Sequence, residues 1–121
     1  MQNLYFKSEE FENLEDEELI NMTKKGDKKA LNYLLSKYTD IVNMKAGKYF
    51  IVGAEKEDIM QEGLIGLFKA IKSFDTQKQS SFKTFANLCI ERQLQTAIKS
   101  SMRQKHMPLN SYLSFNASAY E

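Results

Sequence analysis

Arg92, Gln95, Thr96, Lys99 and Arg103 recur at spacings of three, one, three and four residues, which gathers them on one face of a helix. Their types suit nucleic acid. Arginine and glutamine reach base edges in a major groove, while arginine and lysine neutralise phosphates. Ile90, Leu94, Ala97, Ile98 and Met102 fill a different sector of the same helix and read as its buried side. Ahead of them, Phe82 and Phe85 stand about one turn apart beside a polar loop. As core residues they would be ordinary. Exposed, they would form a stacking platform worth about 1–3 kcal/mol per base for a single strand. An exposed basic face with no ligand is the alternative reading of the same residues.

Other chemistries find less support. The single histidine, His106, is distant in sequence from the single cysteine, Cys89, and no third group is placed to orient a dyad. The GLIG at 63–66 has neither the spacing nor the strand-to-helix setting of a phosphate-binding loop. Glu55, Asp58 and Glu62 share a helical face, yet no Glu-x-x-His partner of the kind used by di-metal bundles accompanies them. That patch reads as solvated or partner-facing. No catalytic set, metal site or cofactor is expected, so the chain is read as a binding protein and not an enzyme.

These residues must be positioned by helices, since four helical segments are legible and no strand. The first spans roughly 15–25 and stops at Gly26, a natural C′ residue. Asp27 is suited to cap a long second helix running to about Phe50, with apolar positions from Ala30 to Met44 at three- and four-residue spacing, until Gly53 breaks it. The third, about 55–74, carries Gly63 and Gly66 mid-helix. Each costs about 1 kcal/mol against alanine there, which suggests close helix–helix approach. After a polar loop, Ser80 or Ser81 is placed to cap the fourth helix, about 81–103. The expectation is an all-α, compact bundle of about four helices: an acidic leader over 1–13, one domain over 14–105, and a polar linker tail over 106–121.

The 121 residues suffice for one compact domain, and 42% of them are hydrophobic. No apolar run approaches the 18 or so residues of a membrane span, and the acidic N-terminus lacks the blocks of a signal peptide. A soluble protein of the reducing cytoplasm, with no membrane partner, fits the lone cysteine. The net charge of +1 hides segregation: residues 1–23 sum to −6, 24–60 to +3, 61–81 to +1 and 82–121 to +3. Such asymmetry suits a C-terminal half facing a polyanion, or simply solvated helix faces.

The third helix, EDIMQEGLIGLFKAIKSFD, resembles the D-L-x-Q-E-G-x-I-G-L-x-x-A-x-x-x-F segment of bacterial RNA polymerase sigma factors of the sigma-70 family. The following FKTFA…AI resembles the family's next block, F-S-T-Y-A…AI. The resemblance runs from about Glu15 to His106, and RQKHMPLNSY is most similar to the stationary-phase and sporulation branch called sigma-H. It implies a sigma region 2 domain that binds polymerase core and directs recognition and melting of the promoter −10 element in transcription initiation. Carried over, Asp58, Gln61, Glu62 and Leu64 would contact a coiled coil of the largest catalytic subunit, with Ile65 and Leu67 supporting them from within. Phe82 and Phe85 match positions that hold a flipped adenine of the non-template strand. Arg92 and Gln95 match positions reading the upstream duplex edge, with Thr96, Lys99 and Arg103 on the same face. Leu88 and Cys89 stand where housekeeping members place two tryptophans, which implies weaker strand opening and more reliance on promoter sequence. An anti-sigma factor is a further partner the family implies. The chain also stops without the family's C-terminal helix-turn-helix, as expected of a fragment. Two other classes stay open: a duplex-binding regulator that ignores polymerase, and a polymerase-binding protein that mimics region 2.

Overall fold

The computed structural model describes residues 10–49, 55–78 and 80–104. The expected helix end near Phe50, the break at Gly53, the leader before residue 10, and the tail with His106 lie outside them. The described residues form five helices: α1 (Asp16–Lys24), α2 (Lys28–Lys37), α3 (Thr39–Gly47), α4 (Lys56–Ser73) and α5 (Phe82–Gln104), with no strand among them.

Local chemistry sets the boundaries. Asp16, Glu17 and Glu18 occupy the first turn of α1, where the helix dipole favours acids, and the Glu15 N–H donates to Glu18 Oε1 at 3.1 Å. At its end Gly26 takes φ 101°, a left-handed conformation costly for any side chain. This lets the Gly26 N–H donate to the Thr23 carbonyl at 2.9 Å and the Asp27 N–H to that of Met22 at 3.0 Å. Asp27 then caps α2, its Oδ1 accepting from the Lys29 and Ala30 N–H groups at 2.9 and 3.1 Å. Two adjacent residues thus end one helix and start the next. At the other end of the fold Ser81, not Ser80, caps α5, with its Oγ accepting from the Thr84 N–H at 3.2 Å.

The expected long second helix is interrupted. Tyr38 (φ −99°, ψ 4°) separates α2 from α3. The turn-to-turn hydrogen bonds persist on both sides, from the Tyr38 N–H to Leu34 and from the Val42 N–H to Tyr38, each 3.1 Å. The chain is therefore kinked and not looped. Two side chains account for it. The Tyr38 ring is drawn into the core, 3% exposed, with its hydroxyl donating to Asp16 Oδ2, and the Thr39 hydroxyl donates back to the Leu35 carbonyl at 2.7 Å. Such back-bonding bends helices.

The core joins all five helices, with Leu19, Ile20, Ala30, Leu34, Val42, Leu67, Ile71, Ile90 and Leu94 fully buried. Its tightest seam runs along α4, against α5 at Gly66 and against α3 at Gly63. A Cβ on Gly66 would stand 2.9 Å from Ile90 Cα and 3.0 Å from the Cys89 carbonyl oxygen, while one on Gly63 would meet Val42 Cγ1 at 2.6 Å. Both mid-helix glycines are there for close approach. An aromatic knot closes the bottom of this seam. The Phe82 ring packs edge-on against Tyr38 (5.3 Å) and Phe74 (5.4 Å), and Phe85 lies tilted on Phe74 (5.6 Å).

Candidate nucleic-acid interface

The polar sector of α5 is presented as its spacing predicts. Arg92, Thr96, Lys99 and Arg103 are exposed and Gln95 is half-buried. Ile90, Leu94, Ile98 and Met102 on the other side are at most 4% exposed, with Ala97 half-buried at the margin. Long donors and cations therefore share one solvent-facing strip, anchored by a fully apolar back.

The aromatic end differs from expectation. Phe82 has no exposed surface, so it cannot stack on a base in this conformation; it is the keystone of the aromatic knot. Phe85 is half-buried against Phe74. Leu88 is the apolar group in the open, 46% exposed, and at about one turn from Phe85 and Arg92 it joins them in a strip. Cys89 is half-buried against the backbone approach at Gly66. Burial pushes its thiol pKa up, and the Arg92 charge pulls it only partly back. A raised thiol pKa disfavours the thiolate, the reactive form, and suits a packing role.

A second face lies on the N-terminal half of α4. Asp58 and Gln61 are exposed, while Glu62 and Leu64 are half-buried. The Glu62 carboxylate accepts from Gln93 Nε2 at 2.8 Å, and Gln93 Oε1 in turn accepts from Lys69 at 3.0 Å. The acidic face of α4 is thereby tied to α5. Leu67 is buried beneath it, but Ile65 is 42% exposed, so it does not support the face from within. Ile65 and Phe68 instead line an open groove of about 590 Å³ between α4 and α2, with Leu64, Leu35, Asn32, Ser36 and Thr39. At its rim the Lys72 ammonium sits 5.3 Å from the Phe68 ring centre. Sequence reasoning missed this groove because it placed Ile65 and Leu67 on the inner side of α4 and gave Leu64 to a polymerase contact, without asking what the arc of its apolar residues leaves outside the core. The signal available was that too many of them, on too wide an arc, compete for one buried side. Among the described residues no group of three or more His, Cys, Asp or Glu is placed to hold a metal, and no helix is long and apolar enough to cross a membrane.

The comparisons with known proteins agree with one another. Residues 34–104 match the family described as Sigma-70 region 2, a span covering the last turn of α2, the kink, α3, α4 and α5. The chain is 53% identical over 116 residues to the RNA polymerase sigma-H factor of Bacillus licheniformis, covering 96% of this chain and 52% of that protein. Against the RNA polymerase sigma-H factor of Bacillus subtilis the figures are 52% over 116 residues, 96% and 53%. The RNA polymerase sigma-E factor of Clostridium acetobutylicum is 29% identical over 101 residues, 79% of this chain and 43% of that protein. The chain thus spans about half the length of the sigma-H factors it matches. No solved structure matches it. With a region 2 match over most of its helices and half its residues shared with two sigma-H factors, the chain belongs to the sigma-70 family and is sigma-H-like in sequence.

Proposed function

We propose that this chain is the promoter-reading module of an alternative sigma factor. It binds RNA polymerase core through α4 and reads and opens the promoter −10 element through α5. The observation that carries this reading is the α4–α5 pair itself. Its glycine seam holds an acidic, apolar-edged face and a cationic, amide-bearing face in fixed relation within one rigid unit. Asp58, Gln61, Glu62 and Leu64 meet a coiled coil of the largest catalytic subunit, and the Leu35–Ile65–Phe68 groove extends that contact with apolar area. An anti-sigma factor would compete for the same surface. On α5, Arg92 and Gln95 read the upstream duplex edge, and Thr96, Lys99 and Arg103 hold the backbone. Phe85 and Leu88 receive the first unstacked base, with Phe82 and Cys89 shaping the support beneath them. Unstacking a base costs a few kcal/mol. Without indoles at Leu88 and Cys89 less of that cost is offset, so sequence reading outweighs strand opening. No catalysis is involved, and the site of action is the cytoplasm.

The test is capture of purified core polymerase by the chain, followed by binding of the complex to a non-template −10 oligonucleotide and its scrambled counterpart. The reading expects capture and discrimination together. Discrimination on duplex without polymerase would identify a duplex-binding regulator instead. Capture with no discrimination would identify a polymerase-binding mimic.

A further inference from the structure

Glu91 is the sole acid on α5, and three groups converge on it. Lys45 Nζ lies 3.2 Å and Lys48 Nζ 3.5 Å from its Oε1, and the Tyr49 hydroxyl donates to Oε2 at 2.9 Å. The arrangement is graded in burial. Tyr49 is 2% exposed, the Lys45 and Glu91 side chains 14% and 17%, and Lys48 33%. At about 100° per residue, Glu91 stands some 40° around α5 from Gln95 and one residue from Arg92. It therefore marks the edge of the cationic strip nearest to the end of α3. A lone carboxylate at that edge would repel a phosphate backbone. Here two ammonium groups lie against it, and the more open of them, Lys48, keeps 33% of its side-chain surface exposed beside the strip.

We propose that Lys48 contacts a backbone phosphate of the duplex flanking the element that α5 reads, and that Glu91 is the positioning residue that fixes this cation at the edge of the strip. The ligand is a phosphodiester, recognised by charge and not by base sequence. Lys45 and Tyr49 hold the Glu91 carboxylate in place. The sequence separation of 43 residues between Lys48 and Glu91 hides this site from any reading along the chain. The inference rests on the proposal that α5 faces promoter DNA, and its test separates the two.

The experiment is equilibrium binding of the chain–core polymerase complex to a −10 promoter duplex and to a mutated −10 duplex, titrated with salt. Lys48→Ala is expected to reduce the steepness of log K against log salt by about 0.9, equally for both sequences. Lys48→Arg is expected to keep the wild-type slope. Glu91→Gln retains an acceptor for Tyr49 but loosens Lys48. The salt slope should fall toward that of Lys48→Ala for both sequences with the ratio between them unchanged, and a wild-type slope in Glu91→Gln would show that Glu91 does not position Lys48. A Lys48→Ala protein with an unchanged melting temperature and an unchanged salt slope overturns the proposal. If Gln95→Ala abolishes discrimination in that case, the reading of α5 stands without the Lys48 contact. If Arg92→Ala and Gln95→Ala leave discrimination intact, the reading of α5 itself fails.

Discussion

Phe82 and Phe85 show how residues of one type, three positions apart, are put to different uses. Phe82 has no exposed surface and touches Tyr38 and Phe74. Truncating it should cost about 3–5 kcal/mol, as for other buried aromatics. Against a total stability of about 5–15 kcal/mol, Phe82→Ala is expected to lower the denaturant midpoint severely. Phe85→Ala removes a half-buried ring and should cost well under half of that, while strand opening by the polymerase-bound protein is lost. Denaturant titration read beside permanganate reactivity of the −10 thymines separates the two. The sequence could not distinguish them because both fit a helix-start aromatic pair; burial is decided by Tyr38, 44 residues away from Phe82. Tyr38 carries its own prediction. Burial first, then its hydrogen bond to Asp16, hold its pKa well above the ordinary value of 10.0. A raised pKa means the native state keeps a proton that the unfolded chain gives up, so the contribution is complete below pH 10.0 and declines as pH rises beyond it. Tyr38→Phe should be less stable at pH 8 by about 1.5 kcal/mol, the worth of a hydrogen bond to a charged group. Its stability should fall less steeply than that of the wild type in the alkaline limb. Parallel slopes in urea titrations on either side of that pH would refute this.

At the scale of elements, helix ends were legible where one or two residues determine them. Gly26 and Asp27 are an αL stop and an acceptor cap whatever surrounds them, and Ser81 is a cap for the same reason. The kink at Tyr38 was illegible because the apolar spacing runs through it unbroken, and the chain is bent there by the pull of Asp16 and the core on the Tyr38 ring together with the back-bond of Thr39. The glycines of α4 were legible as an anomaly, a helix accepting about 1 kcal/mol at each of two sites, although their partners were not. Gly66 yields a sharp prediction. An added Cβ meets backbone at Ile90 and Cys89, which cannot rotate away. The propensity gain of alanine is outweighed by overpacking, typically about 1–3 kcal/mol. Gly66→Ala should therefore destabilise the fold and, by spreading α4 from α5, weaken promoter discrimination in the surviving native fraction. Gly47→Ala, where a Cβ would meet nothing within 4 Å, is the matched control and should be neutral or slightly stabilising. Thermal melts of the two variants give opposite signs if the seam is as tight as its geometry.

For the molecule as a whole, two surfaces of different chemistry are carried by one pair of packed helices. The acids and apolar edge of α4 and the cations of α5 belong to one rigid pair, joined across the seam by the Glu62–Gln93–Lys69 hydrogen bonds. Two working faces on one unit should be separable by substitution if their members act independently, which is the condition for additive effects. Gln61→Ala with Glu62→Ala is expected to abolish capture of core polymerase. Removing the half-buried Glu62 leaves Gln93 bonded to Lys69, so the midpoint of unfolding should fall by only about 1 kcal/mol. Arg92→Ala with Gln95→Ala should do the reverse, leaving capture at wild-type level while consensus and scrambled −10 strands become indistinguishable to the complex. The consequential case is the protein carrying all four changes. If the faces act independently, it loses both functions and its stability loss equals that of the two doubles combined to within about 0.5 kcal/mol. If the Arg92→Ala, Gln95→Ala protein also loses core capture, the two faces are one coupled site. Polymerase would then be recognising the set of α5 against α4, and the division of labour proposed for the two helices would be wrong.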